Sequence, residues 1–177
     1  MKNLNYPNII CHKNGTLQIL PFRDVLTLVA RTSIAGIDTS YWRALMEEEF
    51  NALKAFSLSG QVRFFRVPEM EAEILRTSGS EVDPLRSQWA MNFHEIPWDG
   101  EMTNHAGSRA DAKLVFVAGN ENVPSLSGDK DFLINGVITN SVVVYRPSTS
   151  DQISSDKKAF MRNLYAEIGR KIAVINK

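Results

Sequence analysis

Hydrophobic and polar positions alternate with two different periods along this chain, and the switches between them outline its elements. Near the N-terminus, two short apolar runs flank Asn14-Gly15, in NIICHK and TLQILPF. Asn-Gly is the favoured pair for a type I′ turn, in which both residues take positive φ, so a β-hairpin is predicted with strands near 8–13 and 16–20. Pro21 suits the first turn of a helix, where its missing N–H costs nothing. Val25, Leu26 and Val29 then carry a helical face through Phe22 to Thr32. From Asp38, a helix capped by Asp38, Thr39 or Ser40 is predicted, with Gly60 lying beyond its end. Trp42, Leu45, Met46, Phe50, Leu53 and Phe56 recur on it at steps of three and four. Glu47, Glu48 and Glu49 fall on its opposite, solvated side. VRFFRVP, 62–68, reads as a strand ended by Pro68, and EMEAEILR as a short helix before the polar turn TSGSEVDP.

The second half of the chain reads mostly as strands. In 86–97, RSQWAMNFHEIP, strict alternation puts Trp89, Met91, Phe93 and Glu95 on one face. AKLVFVA at 112–118 is a compact strand candidate. DFLI at 131–134 and VITNSVVVYRP at 137–147 are two more, joined by a second Asn-Gly at 135–136. A closing amphipathic helix carries Phe160, Met161, Leu164, Tyr165, Ile168 and Ile172, with Arg170 and Lys171 near the end where the macrodipole favours cations.

Strands that follow one another through short turns imply antiparallel pairing. The chain is therefore expected to form one α+β domain over 1–177, with a mostly antiparallel sheet of five to seven strands. Helices are expected on one face of that sheet. In element order alone the pattern resembles PAS, GAF and profilin-like domains, and that resemblance implies a central antiparallel sheet.

Composition narrows the function classes. Twenty basic and twenty acidic residues cancel, whereas a dedicated nucleic-acid binder carries a basic excess. Nucleic acid is disfavoured as the main partner. Arg63 and Arg66 around Phe64 and Phe65 are expected on an edge strand with their stems snorkelling over it, rather than on a base-stacking surface. Cys11 is the sole cysteine, so an intrachain disulfide and a thiolate zinc cluster are both excluded, and it is expected to fill core space. No signal-peptide core and no apolar run of membrane-spanning length is present. These features place the chain in the cytoplasm, with no membrane partner.

Candidate chemistry concentrates in 92–109, NFHEIPWDGEMTNHAGSR, where a polar loop between apolar segments holds two of the three histidines and three carboxylates. His94, Glu95, Asp99 and His105 form the candidate acid–base group, with Glu101 assisting and Ser108 or Thr103 within reach as nucleophile. Neither nucleophile sits in a GxSxG elbow. The same residues could gather a metal ion if the loop folds back, but no zinc spacing is present and HExxH is absent, so no metal is assigned. Trp89, Phe93, Trp98 and Arg109 are the candidate ligand-binding side chains around the loop. AGNENVPSLSGDKD, 118–131, contains Gly119 and Gly128 but neither GxGxxG nor GxxxxGK[ST], so it reads as a surface loop. No cofactor can be named. The reading that follows is a non-catalytic module binding a small molecule or a protein. The alternative is a hydrolase- or lyase-type enzyme built on the 92–109 loop, and the last helix could pair two copies as a homodimer.

Overall fold

The computed structural model describes residues 9–78, 84–98, 100–102, 104–147 and 156–176. The hairpin forms as its turn chemistry dictates. β1 (Ile9–Lys13) pairs antiparallel with β2 (Thr16–Leu20), and Asn14 and Gly15 sit at φ 53° and 77°. α1 (Phe22–Thr32) begins after Pro21 and buries Phe22, Val25 and Val29. Ser33 closes it in the left-handed conformation, and a strand absent from the sequence reading follows, β3 (Ile34–Ile37).

The expected long helix after Asp38 is two helices, α2 (Thr39–Ala44) and α3 (Glu47–Leu58). Leu45 and Met46 are extended between them, and the apolar stripe survives the break because both pieces pack on the same core. Glu47 and Glu48 are exposed, but Glu49 is fully buried, which corrects its assignment to a solvated face. β4 (Arg63–Arg66) leads through a 3-10 turn at Pro68–Met70 into α4 (Glu71–Ser78). The segment read as an alternating strand at 86–97 is α5 (Pro84–Met91) followed by a two-residue strand, β5 (His94–Glu95). AKLVFVA lies inside α6 (Arg109–Asn120), capped by Ser108, which accepts a hydrogen bond from the Asp111 amide. The supposed loop after it holds β6 (Ser125–Ser127), fully buried. DFLI and the second Asn-Gly belong to α7 (Asp131–Thr139), and only β7 (Val143–Tyr145) remains of the last predicted strand. α8 (Lys157–Ile175) is the expected terminal helix.

The sheet order is β2-β1-β7-β6-β3-β4-β5. β4, β5, β6 and β7 join β3 through parallel pairings, while β1 pairs antiparallel with both β2 and β7. The α+β class holds, but the sheet is mixed rather than mainly antiparallel. The PAS- or profilin-like resemblance, which rested on a central antiparallel sheet, therefore loses its basis. Parallel strands need crossover helices, and these cover both faces instead of one. Helices α1, α2, α3 and α5 pack with Ile9, Cys11, Ala35, Ile37, Phe64 and Val144 on one side. On the other, α6, α7 and α8 pack with Ile10, Phe65, Val143 and Tyr145. The alternation of Ile9 with Ile10, and of Phe64 with Phe65, is the two-residue period of a sheet buried on both faces. β4 is accordingly interior, not an edge. Arg63 is exposed and Arg66 buried. Cys11 is a buried free thiol whose pKa is pushed up by that burial.

Asn135 and Gly136 show why the second Asn-Gly misled. Neither appears among the positive-φ residues. The Asn135 amide clamps Ala106, accepting from its N–H at 2.8 Å and donating to its carbonyl at 3.0 Å. Gly136 lets α7 approach β7 closely, since a Cβ there would lie 2.6 Å from Val143 Cγ2. Gly136→Ala is expected to lower stability by about 1–3 kcal/mol through overpacking. Denaturant unfolding would register this as a reduced midpoint at unchanged slope. Among the described residues no helix is long and apolar enough to cross a membrane.

Candidate functional site

From β3 the chain winds outward through β4 to β5, then returns across β3 to build β6 and β7 on its other side. The winding direction therefore reverses between β3 and β6. In open parallel sheets, ligands bind in the crevice beyond the carboxyl ends of the strands at such a reversal. Asp38 directly follows β3, and Gly128, Asp129, Lys130 and Asp131 directly follow β6.

Asp38 is 3% exposed. Its Oδ2 accepts hydrogen bonds from Ser40 Oγ and, at 3.0 Å, from Ser127 Oγ. Those hydroxyls are themselves held by the next loop, since the Gly128 amide donates to Ser40 Oγ and the Asp129 amide to Ser127 Oγ, both at 2.9 Å. Gly128 permits the approach, because a Cβ there would come within 3.0 Å of the Ser40 carbonyl oxygen. Asp38 Oδ1, in contrast, is buried with no partner at hydrogen-bond geometry, the adjacent Thr39 amide giving the carboxylate only a small further pull toward its ionised form. A buried carboxylate oxygen left bare costs free energy, and no basic side chain is among the groups that offset its burial.

Four further carboxylates share this end of the sheet and are coupled to Asp38 or to one another. Burial pushes Asp111, in the first turn of α6, up to about 7, and the charges of Asp38, Asp129 and Glu73 add to the shift. Glu73 on α4 is raised by burial and by Asp38, against the lowering pull of Arg76 and Arg43. Asp131 is raised by burial and by Asp129, with Lys171 opposing at 3.8 Å. Asp38 itself is raised, by burial first, with Asp129 adding to it. Five elements (the ends of β3 and β6, α4, α6 and the start of α7) thus concentrate like charge on one end of the sheet. The carboxylates feel one another without meeting: among the described residues, no three His, Cys, Asp or Glu side chains stand ready at ligand distance.

Most of the residues singled out in the sequence lie elsewhere, although Arg109 begins α6 two residues before Asp111. Trp89, Phe93 and His94 line a cavity of about 450 Å³ together with Ser57, Arg63 and Phe64, beside the start of β4. Trp89 and Phe93 are mainly core, packed edge to face at 4.6 Å. Glu95 pairs with Arg66 at 3.7 Å. Trp98 stacks on Phe116 with 24° between the rings. Half-buried His105 places Nδ1 3.4 Å from the Ala106 carbonyl oxygen. Glu101 and Arg109 are exposed, and Ser108 serves as a helix cap. Asp99 and Thr103 lie outside the described residues. The third histidine, His12, is held in the fold, its Nδ1 2.7 Å from the Ser141 carbonyl oxygen and its Nε2 accepting from the Gly15 amide.

Sequence reasoning missed Asp38, Glu73, Asp111, Asp129 and Asp131. The available signal was positional: IAGI-D and SLSG-D each place an acid just after a short stretch of small or apolar residues. It passed unread because both runs are too short to show a period. Compared with family models, curated proteins and solved structures, the chain matches none.

Proposed function

We propose that this protein is a divalent-cation-dependent phosphodiesterase, acting on a nucleic-acid strand at the carboxylate cluster beyond β3 and β6. The observation that carries the reading is the bare, buried Oδ1 of Asp38. Its neighbours Asp111, Asp129 and Glu73 raise the local negative charge, and an oxygen-only donor set of this kind suits a hard cation such as Mg²⁺ or Mn²⁺. Mg²⁺ keeps several waters and takes only one or two carboxylates plus substrate phosphate, so a loosely spaced cluster fits it better than a closed cage would. When bound, the cation supplies charge neutralisation at a phosphoryl oxygen and a more acidic water.

The chain's own groups have distinct roles in this reading. Ser40 and Ser127 hold the Asp38 carboxylate by one oxygen and leave the other free. Asp111, with a pKa near 7, is poised to take a proton from the attacking water at neutral pH. Arg43 and Arg76, exposed beside Glu73, and Arg109 at the start of α6 offer contacts to flanking phosphates. A net charge of zero then means affinity from a few local contacts rather than a basic surface. This reading keeps the hydrolase class of the sequence alternative, moves the chemistry from the 92–109 loop to the strand ends, and departs from the expectation that disfavoured nucleic acid as a partner.

The test is hydrolysis of a labelled single-stranded oligonucleotide with Mg²⁺ or Mn²⁺ against EDTA, beside a melting series across pH. Cation-dependent cleavage is expected. Asp111 keeps its proton in the folded state up to about 7 but loses it in the unfolded chain near the ordinary carboxylate value of 3.8. Between those values the folded state binds more protons, so cation-free stability falls as pH rises, and the loss is complete above 7. After discounting for partial solvent exposure, Asp111 contributes about 1–2 kcal/mol of that loss. Mg²⁺ is expected to raise Tm more at pH 8 than at pH 5.5, because it competes with the proton. A cation response of equal size at both pH values, together with no cleavage, would sink the reading.

A further inference from the structure

Arg66 ends β4, the strand parallel to and beside β3, so it stands at the same carboxyl end of the sheet as Asp38. Its side chain is only 5% exposed. Yet Nε and Nη1 are both buried without a hydrogen-bond partner. Among the described residues, its one ion partner is Glu95, 3.7 Å from Nη1, a distance that gives attraction but no hydrogen bond. Thr39 Oγ1, immediately after Asp38, is a further buried polar atom lacking a partner at this end of the sheet. A guanidinium carries five donors in a fixed fork, and burying it with two nitrogens idle is costly unless another group completes it. Glu95 does not complete it. That carboxylate is 40% exposed and sits on β5, a two-residue edge strand, so it can swing into water at little cost.

We infer that Arg66 is an anion subsite for a phosphate group, and that Glu95 occupies its approach until the phosphate displaces it. A tetrahedral phosphate matches the fork bidentately and brings more acceptor oxygens than the displaced carboxylate. Lying one strand away from Asp38, this subsite takes a phosphate other than the one attacked there. The choice of a phosphate as ligand rests on the phosphodiesterase reading. The binding geometry does not, so the two are tested apart by measuring binding in EDTA, where nothing is hydrolysed.

Thermal shift with inorganic phosphate in EDTA is run on the wild type, Arg66→Met and Glu95→Gln. A single-stranded oligonucleotide is then titrated by fluorescence anisotropy. The wild type is expected to gain Tm with phosphate, and Arg66→Met to bind it about ten- to a hundredfold more weakly, the share of hydrogen bonds to a charged group. Glu95→Gln, lacking the competing charge, is expected to bind a few-fold tighter. Without phosphate, Arg66→Met is expected to melt no lower than the wild type, because a guanidinium awaiting a ligand contributes nothing that methionine packing cannot replace. Oligonucleotide binding that weakens in parallel assigns the phosphate to a strand. Unchanged oligonucleotide binding with a lost phosphate response assigns the subsite to free phosphate. A large drop in the melting temperature of Arg66→Met makes the arginine structural and overturns the proposal. So does an equal phosphate response in all three proteins.

Discussion

Asp38→Asn is expected to abolish cation-dependent hydrolysis while leaving the fold as stable as before or more so. The substitution keeps an oxygen to accept from Ser40 and Ser127, the two hydroxyls that position this side chain. It removes the negative charge from a group whose burial already disfavours ionisation. The unfavourable burial of charge disappears, and with it the charge that holds a cation. Electrostatic groups of this kind contribute about 10²–10³ in rate when removed singly. A stability gain with loss of function is the pattern of a site selected against its own fold energy. The measurement is paired: oligonucleotide cleavage at saturating Mg²⁺, and the Mg²⁺-induced change in Tm. Both should vanish in Asp38→Asn. His94→Ala, made at the exposed edge strand, should retain both. If Asp38→Asn cleaves normally and His94→Ala does not, the chemistry belongs to the 92–109 segment instead.

The second large effect lies beneath the site. Glu49 and Arg146 form an ion pair buried on both sides, 0% and 2% exposed, with Arg146 Nη2 donating to Glu49 Oε1 at 2.8 Å and Nε to Oε2 at 3.3 Å. Glu49 Oε1 also accepts from the Met46 amide and so closes the start of α3. The Arg146 amide donates to the Ser127 carbonyl oxygen, so the pair ties the first turn of α3 to the strand ends that carry the carboxylates. Glu49→Ala leaves a guanidinium buried without its counter-charge and is expected to cost about 3–5 kcal/mol. In a chain of this length that is a fall in Tm of about 10 °C. Replacing both partners, as Glu49→Leu with Arg146→Met, should recover most of the loss, since apolar pairs of similar volume substitute well for buried ions. A double-mutant cycle in denaturant measures this. Additive costs from the two single replacements would mean the residues do not act as a pair.

Where the expectations held and where they failed follows from the range of the forces involved. The hairpin, α1, the VRFFRVP strand and the terminal helix rest on local chemistry: an Asn-Gly turn, a proline at a helix start, and stripes long enough to repeat their period. The failures fall where burial on both faces removes the alternation that marks a strand. IAGI shows no polar face, and SLS, with Ser125 and Ser127 on either side of Leu126, is too short to repeat its alternation, so neither β3 nor β6 carries a strand signal of its own. The helices α6 and α7 were read as strands for the converse reason. AKLVFVA and DFLI are apolar nearly all round because α6 and α7 lie against the sheet, and a short apolar run does not reveal its period. Asn135-Gly136 carried a turn signal that packing overrode, with the glycine used for close approach and the asparagine as a clamp on Ala106.

The candidate site was hidden in the same way. Asp38, Glu73, Asp111, Asp129 and Asp131 are spread over most of the chain and share no spacing. Only the reversal of winding between β3 and β6 puts them at one end of the sheet. His94, Glu95 and His105 stood out by sequence proximity, which a tertiary fold does not have to honour. The sequence by itself determined an α+β chain with no net charge, one buried thiol, an N-terminal hairpin and a C-terminal amphipathic helix, all set by local propensity and composition. The tertiary structure decided strand direction, which faces are covered and which carboxylates share one end of the sheet, because those depend on contacts between residues far apart in the chain.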